Sequence, residues 1–446
     1  MHVTQVFAQY AQRLMWQPLP ADVAHHAKRA VIDWYASVYP GFETVPVRLL
    51  QAALAEDLDR GTARLATGRA ATVRAAALVN GAAAHAAEVD DSFRDAMYHP
   101  GAATIAAALA VAQSQQVDGQ RFLRAVVLGY EVSTRIGVVM GRAHYEHWHN
   151  TGTVGIFGAT AAAAGLLQLD ETAFAHALAT AGTFSAGLQQ AFRMDSMSKP
   201  LHPGRAAEGG VLAAQLAAQG ITGSLDIFEG EVGFGQALGN GPDWSHVGDS
   251  LGRDFHITRL TFKNHIGCGH AFPAIDAALA LRRAHGIDVA DIEHVHVATY
   301  KPALDIACYM RPVSANEARF SIPFVVASAL VHGGVRMSAY EAPKLNDPRT
   351  RSLMERIVVV VDPAIDAAFP GRRSARVTIT LRDGRSLEHF QPDRKGDPEL
   401  PLDDDELEAK LLELAAPVIG QDAATSLLAR IRALDNHPAP AARDLS

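Results

Sequence analysis

The chain has 446 residues, 48% hydrophobic and 20% charged, which supplies a large core and excludes a disordered polyelectrolyte. The 40 Lys and Arg against 48 Asp and Glu leave a formal charge of -8, which excludes a general nucleic-acid binder with its basic excess. Two cysteines, Cys268 and Cys308, exclude a disulfide framework and a four-thiolate metal site, and they suit a reducing compartment.

The opening MHVTQVFAQYAQRLMWQ has no long apolar core and no small-residue cleavage pattern, so no secretory signal is expected. From Leu19-Pro20-Ala21-Asp22 a helix is expected through Tyr35, with apolar residues at helical spacing. Helices at 72–87, 101–113, 119–140, 153–167 and 205–218 follow, rich in Ala and Leu. Several are apolar on most faces, the pattern of helices buried within a bundle. Gly and Pro punctuate them at Pro40-Gly41, His99-Pro100-Gly101 and His202-Pro203-Gly204. None is long and apolar enough to span a bilayer, so a cytoplasmic protein without membrane partners is expected.

After about residue 258 the texture changes. Residues 292–300 (IEHVHVATY) alternate with period two, a strand pattern, and 357–361 is a β-branched run. Strands at 376–381 and 386–390 flank the hairpin turn Asp383-Gly384. Helices are expected between them at 271–285 and 322–331, then at 403–414 and 423–434. The expected organisation is mainly α. A large all-helical domain begins with 1–257, a smaller α+β domain covers 258–398, and C-terminal helices in 399–446 return to the bundle, with a frayed tail after His437. No G-x-G-x-x-G follows a strand, and no phosphate loop, G-x-S-x-G elbow or H-E-x-x-H helix occurs.

Polar groups collect at four helix junctions. The first runs from His85 through Glu88, Asp90, Asp91 and Ser92 to Tyr98-His99-Pro100. A histidine at a helix start can bind a carboxylate or pass a proton, whereas the acidic residues can equally cap and tie the loop. The second is His144-Tyr145-Glu146-His147-Trp148-His149, before Asn150-Thr151-Gly152-Thr153. Its three histidines invite a metal reading, but their spacing matches no standard ligand set. The third, Ser198-Lys199-Pro200-Leu201-His202-Pro203-Gly204-Arg205, gathers three cationic or protonatable groups on a stiff turn, a carboxylate clamp. The fourth is Lys263-Asn264-His265-Ile266-Gly267-Cys268-Gly269-His270, read as a hinge that supplies Lys263 and His270 or, less well, a zinc loop. Imidazoles and ammonium groups with few nucleophiles suit binding a small polycarboxylate and moving a proton on the carbon beside a carboxylate.

The segments GAAAHAAEVDDSF…HPGAATIAAALAVA, WHNTGTVGIFGATAAAA, SKPLHPGRAAEGGVLAAQLAAQGITGSLDIFEGEVGF and FKNHIGCGHAFPAIDAAL resemble the MmgE/PrpD family over roughly residues 5–420. That family includes 2-methylcitrate dehydratases, cis-aconitate decarboxylases and iminodisuccinate epimerases. The resemblance implies a large helical and a smaller α+β domain, an active site in the cleft between them, a homodimer, and no metal or organic cofactor. Carried over by motif, His99, His149, Lys199 and Lys263 are the catalytic candidates, with Glu88, Asp91, Ser92, Tyr145, His202, Arg205 and His270 as substrate-binding candidates. Glu88 stands where the family has Asp, and Phe324 where its decarboxylases carry a tyrosine. The expected activity is a cofactor-independent lyase of a di- or tricarboxylate, 2-methylcitrate dehydratase-like. The alternatives are an epimerase of an amino- or imino-dicarboxylate, a cis-aconitate decarboxylase-like enzyme, or a non-catalytic carboxylate-binding protein.

Overall fold

The computed structural model describes residues 1–192, 196–436 and 445. They divide into two compact units, Met1–Phe262 with the chain from Asp403 onward, and Lys263–Leu402. The division thus runs a few residues later than the expected limits of 258 and 398. The protein is mainly α, with the sheet of the smaller unit carrying most of its strand.

In the first unit the helices are Val3–Leu14, Ala21–Phe42, Val73–Ala86, Pro100–Gln115, Gly119–Tyr145, Gly155–Leu166, Glu171–Phe184 and Leu201–Ala218, joined later by Asp404–Ile419 and Gln421–Arg432. Their starts are written in the sequence. Asp118 accepts from the Arg121 amide, Asp170 from the Ala173 amide, and Asp403 with Glu406 forms a capping box. Every residue of Gly155–Leu166 is buried, as its apolar faces require. Where two helices cross, glycine removes the side chain that would hold them apart. A Cβ on Gly204 would sit 2.4 Å from the Leu78 carbonyl oxygen, and one on Gly81 would sit 3.0 Å from the Gly204 Cα. This crossing sets the end of the Val73–Ala86 helix beside the start of Leu201–Ala218.

No element is expected from the sequence at Val3–Leu14, although its buried face of Val3, Phe7, Tyr10, Ala11 and Leu14 has clear helical spacing, nor at Glu171–Phe184 or the small antiparallel pair β1 (Leu58–Arg64) and β2 (Ala70–Ala71). Strand β1 is polar along most of its length, so it carries no alternation to read. The tail after His437 lies, Leu445 apart, outside the described residues. Leu445 is buried and its carbonyl accepts from the Tyr35 hydroxyl at 2.7 Å, which corrects the expectation of fraying at that position.

The second unit holds β3 (Ile292–Thr299), β4 (Ile357–Val361), β5 (Ala375–Leu381) and β6 (Ser386–Gln391) in the order β4-β3-β5-β6. The β3–β4 pair is parallel and the others antiparallel, with Val297 opposite both Val359 and Val377. Alternate residues of β5 are buried. The β5–β6 turn has Gly384 at φ +87, and Asp383 accepts from the Arg385 amide at 3.0 Å. Helices Phe272–His285 and Ile322–His332 complete the unit's core. Among the described residues no helix is long and apolar enough to cross a membrane.

Candidate active site

Three of the four junctions meet in the first unit. The Val73–Ala86 helix ends in Glu88, which takes a left-handed φ of 60 and turns the chain back sharply. Behind that turn Asp91 is locked in the core. Its Oδ1 accepts from the Gly101 amide at 3.1 Å and its Oδ2 from the Tyr130 hydroxyl at 2.7 Å, which seats the start of the Pro100–Gln115 helix. His99 is the residue before that helix and His149 the residue before the Asn150–Thr153 turn. The His149 amide donates to the Gly187 carbonyl at 2.9 Å. Gly187 has φ +136, and a Cβ there would press on the His202 ring at 3.3 Å.

These turns bring four imidazoles together. The His85 and His99 ring centres are 4.9 Å apart, those of His85 and His149 5.4 Å, and those of His149 and His202 5.2 Å. His85 Nδ1 lies 2.8 Å from Asp90 Oδ2, with His99 Nδ1 3.3 Å from the same oxygen. His99 Nδ1 also lies 2.6 Å from the Asp91 carbonyl oxygen. That oxygen only accepts, so Nδ1 carries the proton and Nε2 keeps the lone pair. His149 Nδ1 and His202 Nδ1 are 2.9 Å apart and share one proton between them. Beside them the Lys199 ammonium pairs with the Glu88 carboxylate and lies 5.1 Å from the Phe192 ring centre. Phe192 stands edge-on to His149 at 4.7 Å.

Burial first, then the neighbouring His85 and Lys199, holds His149 well below the ordinary histidine range and lowers His202 to about 4. Both rings are therefore neutral near pH 7. Asp91 is pushed up to about 8 by burial and by the Asp33 carboxylate.

The structure thus brings together His99, His149, Lys199, Glu88 and His202 from the expected set. It corrects Asp91, which is 3% exposed with both carboxyl oxygens engaged inside the protein and so props the helix start instead of facing a ligand. It also corrects Arg205. The guanidinium is exposed and pairs with Glu208 one turn along, because position 205 lies on the outer face of its helix. Ser92 is half-buried and pairs through its backbone with Thr261, and the Tyr145 carbonyl holds the Gln189 amide group, so neither side chain has a contact that ties it to the cluster. Lys263 and His270 belong to the second unit, where His270 Nδ1 meets the Tyr300 hydroxyl at 2.8 Å.

The metal readings fare differently. His144 is buried between the Leu238 carbonyl and the Thr153 hydroxyl, and His147 is exposed, so that trio does not converge. His265 Nε2 is held by Asp276 at 2.8 Å and His270 Nδ1 meets the Tyr300 hydroxyl at 2.8 Å, and among the described residues the 263–270 loop gathers no converging set of metal-ligating groups. Among the described residues the metal-ligating groups that do converge are His85, Asp90 and His99, within 4.8 Å of one another. Each of these nitrogens already faces an oxygen of the chain. Motif reading gave His85 no role. Its one signal is an imidazole inside an alanine run, five residues before Asp90.

Two family models match the chain, the MmgE/PrpD N-terminal domain over residues 5–247 and the MmgE/PrpD C-terminal domain over 265–436. The cis-aconitate decarboxylase-like protein oryM of Aspergillus oryzae is 28% identical across 94% of this chain and 92% of its own length. The cis-aconitate decarboxylase of Homo sapiens is 28% identical across 81% of this chain and 76% of its own. A 2-methylcitrate dehydratase of Cupriavidus necator is 34% identical, but across 27% of this chain and 26% of its own.

Proposed function

The chain belongs to the MmgE/PrpD family, and from that premise we propose that it is a lyase that dehydrates a hydroxylated di- or tricarboxylate of the 2-methylcitrate type without a cofactor. The observation that carries the reading is the pair of separate imidazole stations beside one ammonium group. Elimination needs two proton-handling groups, a base for the carbon proton and a donor for the departing hydroxyl.

In this mechanism Lys199, held by Glu88 and the Phe192 face, binds a substrate carboxylate. His99 Nε2 takes the proton from the carbon next to a carboxylate, and the imidazolium formed is stabilised by the Asp91 carbonyl and the Asp90 carboxylate. The C–H electron pair forms the new C=C bond as the C–O bond breaks. The His149–His202 pair, neutral in the free protein, takes up one proton as the anionic substrate binds and gives that proton to the leaving hydroxyl, which departs as water and leaves the pair neutral again. Lys263 is proposed as a second carboxylate-binding cation from the smaller unit. We take the working assembly to be a homodimer and its place to be the cytoplasm.

Decarboxylation of cis-aconitate is the second reading, favoured by relatives of that name that span most of the chain. Against it we set Phe324, which is buried and has no hydroxyl, at the position where the family resemblance leads one to expect the tyrosine of a decarboxylase. The test incubates the protein with 2-methylcitrate, citrate and cis-aconitate and follows olefin absorbance and CO2 release. Olefin from a hydroxy acid is the predicted result. CO2 from cis-aconitate alone would replace the proposal by the second reading, and inert substrates would defeat both.

A further inference from the structure

The mechanism leaves unused the most enclosed imidazole of the cluster. His85 and Asp90 are each 1% exposed. Asp90 Oδ2 lies 2.8 Å from His85 Nδ1 and 3.3 Å from His99 Nδ1, so one carboxylate oxygen faces two rings. The rings meet edge to face at 61°. We propose that His85 is a positioning residue that shares the Asp90 oxygen with His99 and thereby sets how readily His99 releases the proton it takes from substrate. This rests on the reading of His99 as the base.

The argument is one of competition for a lone pair. A carboxylate facing a protonated imidazole stabilises the charged form, and a proton held too firmly is returned too slowly. The N–H of His85 draws on the same oxygen and weakens it as an acceptor for His99. His85 also packs against His149, at 5.4 Å between ring centres, so it fixes the spacing of the two stations.

Other charges facing the site come from each packed element. The same loop supplies Glu88 and Asp91. The start of Leu201–Ala218 supplies Lys199 and His202, with His149 facing them. Behind the loop, Asp33 of Ala21–Phe42 is paired with Lys410 of Asp404–Ile419, whose ammonium also donates to the Val89 carbonyl at 2.8 Å. Replacing His85 changes none of these residues, so a change in His99 reports on the shared oxygen.

The test compares His85→Leu, which deletes the N–H, with His85→Asn, whose amide can donate from the place of Nδ1. Two readouts are the NMR titration of the His99 ring without substrate and the pH profile of kcat/KM. In His85→Leu the His99 midpoint and the acid limb of the profile are expected to move up by about one pH unit, a tenfold gain in proton affinity. His85→Asn is expected to restore both, and Asp90→Asn to move the His99 midpoint down. An unmoved His99 midpoint in a folded His85→Leu protein, or a shift that Asn does not reverse, overturns the proposal. If His85→Leu fails to fold, Asp90→Asn decides by the same midpoint. The NMR readout needs no turnover, so wild-type protein inert on every substrate would defeat the proposed function separately from this inference.

Discussion

At Lys199 the ammonium is held from two directions, by the Glu88 carboxylate and the face of Phe192. Lys199→Met keeps the stem and removes the charge, so kcat/KM for a tricarboxylate should fall by roughly 10–100-fold, the worth of one charge-assisted contact. Steady-state kinetics checks this, with KM rising. His202 gives a prediction about pH. Its folded value of about 4 lies below the ordinary histidine value of 6.5, so between these pH values the unfolded chain binds the proton more readily. His202 therefore costs stability as pH falls through that window and nothing above it. His202→Asn should lose less stability than wild type between pH 7 and pH 5, read from urea midpoints. A steeper loss in the variant would reverse the sign. Motif and order single out His99, His149, Lys199 and Glu88, which the fold brings close together. The directions of Arg205 and Asp91 are not legible, because residue type does not reveal which way a side chain faces.

Among the elements, the crossing at Gly81 and Gly204 carries the most consequence. It places the His85–Glu88 end of one helix beside the Lys199–His202 start of the other. In Gly204→Ala the new Cβ would stand 2.4 Å from a backbone oxygen that cannot rotate away, so the helices must part. The expected loss is about 1–3 kcal/mol in urea unfolding, with turnover lowered as the site spreads. Unchanged stability would mean that the helices are not held this closely. The helices that carry the site were legible because alanine runs and Pro-Gly breaks mark them, as at His99-Pro100-Gly101. Val3–Leu14 lacks both marks, although Val3, Phe7, Tyr10, Ala11 and Leu14 carry a readable helical period, and Glu171–Phe184 is apolar on most faces so its period is weak. Strand β3 was legible from alternation, β4 from its β-branched run, and β5 and β6 from the Asp383-Gly384 turn between them, whereas β1 buries Leu58 and Ala63, five residues apart, and shows no alternation.

Across the whole molecule, the chain returns to the first unit through Asp404–Ile419, and a buried ion pair fastens it. Lys410 Nζ lies 2.5 Å from Asp33 Oδ1 and also holds the Val89 carbonyl beside the site loop. Lys410→Met removes the cation that Asp33 faces, so unfolding free energy should fall by about 3–5 kcal/mol. Calorimetry or urea melts test this, and a fall well under 1 kcal/mol would show that the pair does not fasten the return. The proposed homodimer predicts a solution mass twice that of the chain, and a single-chain mass would refute it. The return of the C-terminal helices was legible as helical pattern after the strands. Their anchor was not, because Asp33 and Lys410 are 377 residues apart and no local pattern joins them.

The central claim is that His99 and the His149–His202 pair move protons on carbon beside a carboxylate. Its most direct measurement is turnover of 2-methylcitrate in deuterated water by wild type, His99→Ala and His149→Ala, each verified as folded. The account predicts olefin formation by the wild type and a loss of about 10²–10⁴-fold in each variant. Near-normal rates in both variants would contradict it.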